Sequence, residues 1–389
     1  MKLLKLAHLY WCTIVNLKPI QVYYRIWFKI YSPYLDLRIG CLRKRTKVRN
    51  GIIGIPKHVS MLSATRFCFL NYAQDINYSA DWNNRLLPKL WVYNLNYFDD
   101  LNGVDANQRR EWHINLVDAW INANQIGIGI SSEPYPTSLR IVNWIKSDIN
   151  SALLNEKALQ NLYLQVRWLN LRIEWHILGN HLLANAKALI FAGLYFQGEE
   201  ADAWLVKGVS IWSAQLEEQI LSDGAHFELS PMYHSIVLED ILDVISIAKN
   251  YPEKFPEGFL LSLNETVAKM LAWMKSMIHQ DGSLSFFNDA ALDIAPKYGD
   301  LLNYAASLGL SPASIEPLGS DDDVVKLIFM NDSAYIRANC GDFATLIMDV
   351  GEVGPKYLAG HAHADTLSYE LSARGKRLIV NGGISTYER

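Results

Sequence analysis

Residues His181–Phe196, HLLANAKALIFAGLYF, decide the fold class. The run is apolar on more than one face, so a helix built from it must be covered on more than one side. Helices arranged in two layers satisfy that demand. Helical spacing recurs on either side of it, at Ala106–Ala123, Thr137–Ile149, Asn155–Arg172, Ala201–Leu221, Pro231–Asn250 and Phe259–Ile278. Ser230-Pro231 marks one start sharply, a capping hydroxyl followed by a proline at the first helical position, where its missing N–H costs nothing. Pro252 and Pro256 interrupt the chain between the last two helices. Short loops between helices of similar length imply antiparallel neighbours. The pattern predicts a mostly α chain with some β: an incomplete (α/α) toroid over 1–310, of which 1–60 is an N-terminal extension. A helical solenoid is the competitor, but no fixed-period repeat supports it.

Near residue 311 the pattern changes. A polar stretch, 311–323, ends in Ser320-Asp321-Asp322-Asp323 and reads as a linker. Short β-type runs follow at Val324–Met330, Ala334–Ala338, Phe343–Val350, Thr366–Leu371 and Arg377–Asn381, separated by turn residues. They make the start of a separate β domain over 324–389, an incomplete sheet. Its last strand would be an open edge, which proteins normally cover. A longer protein, or a truncated one, is therefore expected.

The bulk properties exclude some classes of function. The 389 residues are half hydrophobic and one-fifth charged, with a net charge of −4, so nothing suggests nucleic acid as a partner. Cys12, Cys41, Cys68 and Cys340 lack metal-type spacing and read as free, buried thiols. The apolar N-terminus is broken by Lys5, His8, Lys18, Arg25 and Lys29, so it is neither a secretory signal nor an integral membrane segment. An amphipathic helix packed on the body of the protein is the preferred reading, ahead of one lying on a membrane. The compartment stays open between bacterial cytoplasm and periplasm. The aromatic load, 12 Trp, 20 Tyr and 13 Phe, suits a large core or a sugar cleft, where rings stack on pyranoses.

Three clusters could carry chemistry. In Gly179-Asn180-His181-Leu182-Leu183-Ala184-Asn185, His181 and Asn185 share a helix face and Asn180 is a natural N-cap. In Asp223-Gly224-Ala225-His226-Phe227-Glu228-Leu229-Ser230-Pro231-Met232-Tyr233-His234, a capped helix displays Tyr233 and His234 beside Glu228 and His226, with Glu228 and His234 as candidate substrate contacts. In Gly360-His361-Ala362-His363-Ala364-Asp365, an extended chain would put both histidines and the aspartate on one face, as catalytic groups or as a metal pair. Upstream, Trp91–Asp100 offers Tyr93, Asn94 and Tyr97 to a substrate. Arg140 and Trp144 share a helix face, a cation and a ring suited to an acidic sugar or simply stacked on each other.

Taken in order, YNLNYFDDL, EPYPTSLRIVNW, GNHLLAN, DGAHFELSPMYH, GHAHADTLSYEL and VNGGISTY resemble the heparinase II/III family and its alginate-lyase-like relatives. The resemblance implies a helical toroid joined to an antiparallel β-sandwich, of which 324–389 would be the start, and cleavage of uronic-acid-containing polysaccharides by β-elimination. It assigns Asn180 and His181 to the substrate carboxylate, with His181 a possible base. It makes Tyr233 the acid, and on some stereochemistries also the base, with His361 assisting. It also places His363 at a structural zinc, with Asn381 where the family has an aspartate. An acidic polysaccharide is the expected partner. Two alternatives remain: a glycoside hydrolase using Glu228 and Asp289, and a non-catalytic glycan-binding protein associated with capsule or exopolysaccharide.

Overall fold

A computed structural model describes residue 8 and residues 11–45, 51–318 and 324–384. The Ser320–Asp323 end of the expected linker, Lys5 and the end of the VNGGISTY segment lie outside the described residues. Helix α1 (Pro19–Ile30) is followed by a hairpin, β1 (Arg66–Phe69) and β2 (Tyr72–Asp75). Then come α2 (Lys89–Tyr97), α3 (Arg110–Ala123), α4 (Pro134–Ser151), α5 (Glu156–Leu171), α6 (Gly179–Tyr195), α7 (Glu199–Gln219), α8 (Pro231–Ala248), α9 (Phe259–Ser276) and α10 (Tyr298–Ser307). Every helix expected from spacing is present within a few residues of its expected bounds. The hairpin and the nine-residue α2 were not expected; both are too short to show a clear period.

The even-numbered helices α2, α4, α6, α8 and α10 touch one another in that order, and α3, α5, α7 and α9 pack among and outside them. This is the incomplete (α/α) toroid. In α6 every residue except His181 is buried. Close approach of α7 requires a residue without a side chain at Gly193, where a Cβ would lie 2.6 Å from that of Leu205. Trp82, Trp91, Trp120, Trp144, Trp204, Trp212 and Trp273 are fully buried, so much of the aromatic load builds the core. The four cysteines are free as expected, but Cys12 and Cys41 are exposed and the other two half-buried, because they lie on segments outside the toroid's core.

The inner ring is pinned by a buried ionic network that no sequence pattern announced. Asp243 of α8 accepts from Lys146 of α4 at 2.9 Å, from Lys187 of α6 at 2.5 Å and from the Tyr304 hydroxyl of α10 at 3.0 Å. Lys187 also reaches Asp240 at 2.7 Å, and Lys57 holds Glu239 at 2.7 Å. Burial opposes a charged Asp243, but the two lysines outweigh it and hold the carboxyl well below its ordinary range.

Strands β3 (Lys326–Met330), β4 (Tyr335–Cys340), β5 (Ala344–Asp349), β6 (Tyr369–Ala373) and β7 (Lys376–Ile379) form one antiparallel sheet in sequence order. The sheet is fastened to the helices by buried polar contacts. Tyr335 donates to the Leu229 carbonyl at 2.9 Å, and His279 meets Glu370 at 2.7 Å. The N-terminal helix α1 lies on the body, where the Gln21 amide donates to the Ile177 and Tyr357 carbonyls. Among the described residues no helix is long and apolar enough to cross a membrane.

Replacing Asp243 by Ala would leave two buried lysines without their shared partner, a loss of about 3–5 kcal/mol. The expected result is an earlier denaturant midpoint, and a midpoint equal to wild type would show that the network does not hold the ring.

Candidate active site

The start of α6, the start of α8 and the long β5–β6 connection converge on one carboxylate, Glu228. It lies just before α8 and is 2% exposed, and neither oxygen has a hydrogen-bond partner of normal geometry. Its nearest cation-forming group is His361, with Nε2 3.4 Å from Oε2. Burial pushes the Glu228 carboxyl above the usual range; His361, the nearby Asn180 N–H and His181 oppose this without cancelling it. The chain makes room by placing Gly179 directly beneath. Its φ of +58° suits glycine, and a Cβ there would sit 2.5 Å from both Glu228 Oε1 and Leu358 Cδ2. Asn180 is therefore not the N-cap; Leu178 holds that place and Asn180 lies inside the first turn, 7% exposed.

On one side of Glu228 stands His181. Its Nδ1 lies 3.1 Å from Glu174 Oε1, and Glu174 is itself held by the Asn185 amide at 3.0 Å. The sequence placed His181 and Asn185 on one face; Glu174 is the group that joins them. The Tyr135 ring lies 4.3 Å from the imidazole. Burial works against a charged His181, but Glu174 and, further off, Glu228 outweigh it and raise its pKa. On the other side, His361 Nδ1 is 2.7 Å from Asp289 Oδ2, and the Tyr233 ring lies 3.8 Å from the imidazole. Ser230 caps α8 by accepting from the Tyr233 N–H, while its hydroxyl donates to the Asp289 carbonyl at 2.5 Å. One serine thus holds the backbone of both Tyr233 and Asp289, the residue whose carboxylate meets His361.

Beyond His181 and Tyr135 runs a row of half-buried to buried rings. Tyr97 sits edge-on to Tyr135 at 6.0 Å and to Tyr93 at 6.4 Å. The Tyr93 hydroxyl donates to Glu133, and the Asn94 amide donates to the Leu90 carbonyl within α2. Three other expected substrate contacts lie in the core instead. Arg140 is wholly buried, donating to Gln165, to the Asn96 and Ser131 carbonyls and to Thr137, with its guanidinium 4.0 Å from the Trp120 ring. Trp144 is also wholly buried, edge-on to Trp120. His234, next to Tyr233 but on another face of α8, accepts from the His226 N–H, touches the Met270 carbonyl and is pushed down to about 3 by burial. None of the three can reach a sugar.

The 360–365 segment is a turn-rich loop rather than an extended strand, so the period of two does not apply to it. Asn288 causes this, accepting from the His363 N–H at 3.1 Å while its own N–H donates to Asp365 at 2.6 Å. The Asn381 amide donates to Asp365 at 3.1 Å and its oxygen accepts from the Gly383 N–H. Among the described residues no three His, Cys, Asp or Glu side chains gather as metal ligands. With Asn381 engaged in this way, the zinc expected at His363 does not fit these residues.

The family model of the heparinase II/III N-terminus matches residues 74–307, and that of the heparinase II/III-like C-terminal part matches 324–389. The chain belongs to the heparinase II/III family. A heparin-sulfate lyase of Bacteroides stercoris is 29% identical over 221 residues, which is 54% of this chain and 32% of that protein. One of Pedobacter heparinus is 23% identical over 347 residues, 82% of this chain and 51% of that protein. A crystal structure of heparinase III superposes with a TM-score of 0.59 at 18% identity, covering 80% of this chain and 53% of that one. A mutant heparan sulfate lyase from Pedobacter heparinus superposes at 0.53 and 18% identity, covering 95% and 61%. These structural likenesses establish a shared fold. The chain spans about a third to a half of the length of the curated relatives it matches.

Replacing Glu174 by Gln is expected to lower the His181 pKa, read from the imidazole C–H shift in an NMR titration. The sign follows from the raised folded value: the pair stabilises the fold fully below about pH 6.5, and the contribution fades as pH rises through the folded pKa. An unmoved titration would show that Glu174 does not set the charge of His181.

Proposed function

We propose that this heparinase II/III family chain carries the β-elimination site of a polysaccharide lyase acting on uronic-acid-containing glycosaminoglycans. The supporting observation is the gathering of Asn180, His181, Tyr233 and His361 around the buried Glu228 carboxyl. The names of its relatives, heparin-sulfate lyases, support the substrate class. In this reading residues 1–310 form the toroid domain, 311–323 the linker and 324–389 the start of the sandwich.

The chemistry asks for three things. The C5 proton of a uronate lies beside a carboxylate, so its removal adds negative charge next to existing charge, and that charge must be neutralised. A base must take the proton, and an acid must protonate the departing oxygen at C4. His181, kept cationic to higher pH by Glu174, and the Asn180 amide meet the carboxylate. Beneath these groups the buried Glu228 carboxyl, its pKa raised, spares the substrate a second fixed anion when neutral. Electrostatic stabilisation of this kind is the larger task. Tyr233 delivers the proton to the leaving oxygen, and His361, oriented by Asp289, lies against the phenol and assists. On one uronate stereochemistry the Tyr233 phenolate takes the C5 proton and returns it to the departing oxygen; on the other, His181 in its neutral form takes it while the Tyr233 phenol supplies the leaving-group proton.

A hydrolase would turn two carboxyls toward the sugar. Glu228 and Asp289 instead bracket the His361 ring, each about 1% exposed at the side chain. That geometry favours elimination.

Tyr233→Phe is expected to reduce elimination by about 10²–10⁴-fold while oligosaccharide binding is kept, read from the ultraviolet band of the 4,5-unsaturated product and from calorimetry. Wild-type rate in this variant would remove Tyr233 from the chemistry. His361→Ala is expected to lower turnover with an unchanged far-ultraviolet spectrum; loss of the helical signal would make His361 a packing residue.

A further inference from the structure

The first 35 positions hold five of the 36 basic residues, Lys2, Lys5, Lys18, Arg25 and Lys29, and none of the 40 acidic ones. The remaining chain therefore carries a net −9 against +5 here, and the first carboxylate is Asp36. Within this segment α1 has two faces. Gln21, Tyr24 and Phe28 turn inward: Gln21 bonds two body carbonyls, Tyr24 stacks on Trp175 at 6.1 Å, and Phe28 meets His176 at 5.5 Å. Lys18 also turns inward and pairs with Glu218.

Tyr23, Ile26, Trp27 and Ile30, spaced i, i+3, i+4 and i+7, form the outward stripe. Tyr23 and Ile26 are more than half exposed and Ile30 is 76% exposed. The preceding turn and the following loop extend the patch with Trp11, Ile14, Val15 and Tyr34, all exposed. Exposed apolar surface of this extent on a helix already docked by its other face signals a partner.

Two observations identify that partner. Arg25 and Lys29 flank the stripe, and neither pairs with a carboxylate among the described residues; Arg25 donates only to the His176 carbonyl. Tyr23, Trp27 and Tyr31 stack on one another along the helix, at 6.0 and 4.7 Å with interplanar angles of 10° and 27°. Rings stacked this way spend their faces on each other and turn their edges outward. A pyranose binds ring faces, so the ladder is a poor sugar platform. An apolar stripe with Trp and Tyr edges, flanked by unpaired cations, is the chemistry of a helix lying in the headgroup layer of an anionic bilayer.

We propose that α1 and the turn before it dock the protein on an anionic lipid surface, lying in the interface without crossing it. The docking is independent of the elimination chemistry. The test is co-sedimentation of the full chain with phosphatidylcholine vesicles, with and without phosphatidylglycerol, at low and high salt. The expected result is pelleting with the phosphatidylglycerol vesicles only, weakened by salt. Ile26→Asp with Ile30→Asp should abolish it, and Arg25→Gln with Lys29→Gln should weaken it by roughly 30-fold. Both pairs are exposed, and an unchanged far-ultraviolet spectrum would confirm folding. Equal recovery with neutral vesicles, no pelleting, or variants that pellet like wild type would overturn the proposal. So would a dimer by light scattering that Ile26→Asp dissociates, since a second copy would then cover the stripe.

Discussion

One buried carboxylate, Asp243, holds the inner ring in place. Two ammonium groups and a phenol from three other helices meet it, so α4, α6, α8 and α10 share a single electrostatic centre. Such a centre is costly to desolvate and stable only when every partner is present. It fixes the relative rotation of α6 and α8. Those two helices carry His181 and Tyr233 at their first turns, so the network deep in the ring sets the separation of the groups at its mouth.

At the mouth the same logic recurs with a different outcome. Glu228 is buried as thoroughly as Asp243, but two imidazoles face it and no ammonium group does. Asp243 is held charged, while the Glu228 carboxyl is pushed toward its neutral form. Each imidazole has its own carboxylate, Glu174 or Asp289, to orient it. The groove therefore treats its groups unequally: burial raises the pKa of the Glu228 carboxyl, while Glu174 raises that of His181.

The sheet matters to this groove mainly through one connection. The loop between β5 and β6 carries His361 across to the helices, and Asn288 clamps it just beyond, accepting from the His363 N–H and donating its own N–H to the Asp365 carboxylate. The buried contacts of Tyr335 and His279 keep the sheet from moving relative to α8 and α9. A residue from the β part thus completes a site built on the helical part.

Much was legible in the chain itself. Apolar periodicity marked the helices, Ser230-Pro231 marked the start of α8, and turn residues divided the strands, because these signals act over a few residues. Asn180, His181, Tyr233 and His361, the residues proposed to carry the chemistry, were legible as local motifs. Which face of a helix meets the cleft was not. In a two-layered toroid both faces of an inner helix are covered, so shared spacing led Arg140 and Trp144 to be read as a sugar contact when they belong to the core, and His234 turned away from its neighbour Tyr233. The Asp243 network left no trace, since its members lie 56 to 97 positions apart, and Glu174, only 7 positions from His181, carries no motif of its own. The sequence by itself determined the elements and the chemical vocabulary; the tertiary structure decided which charges are buried together, because burial and proximity are properties of the packed chain.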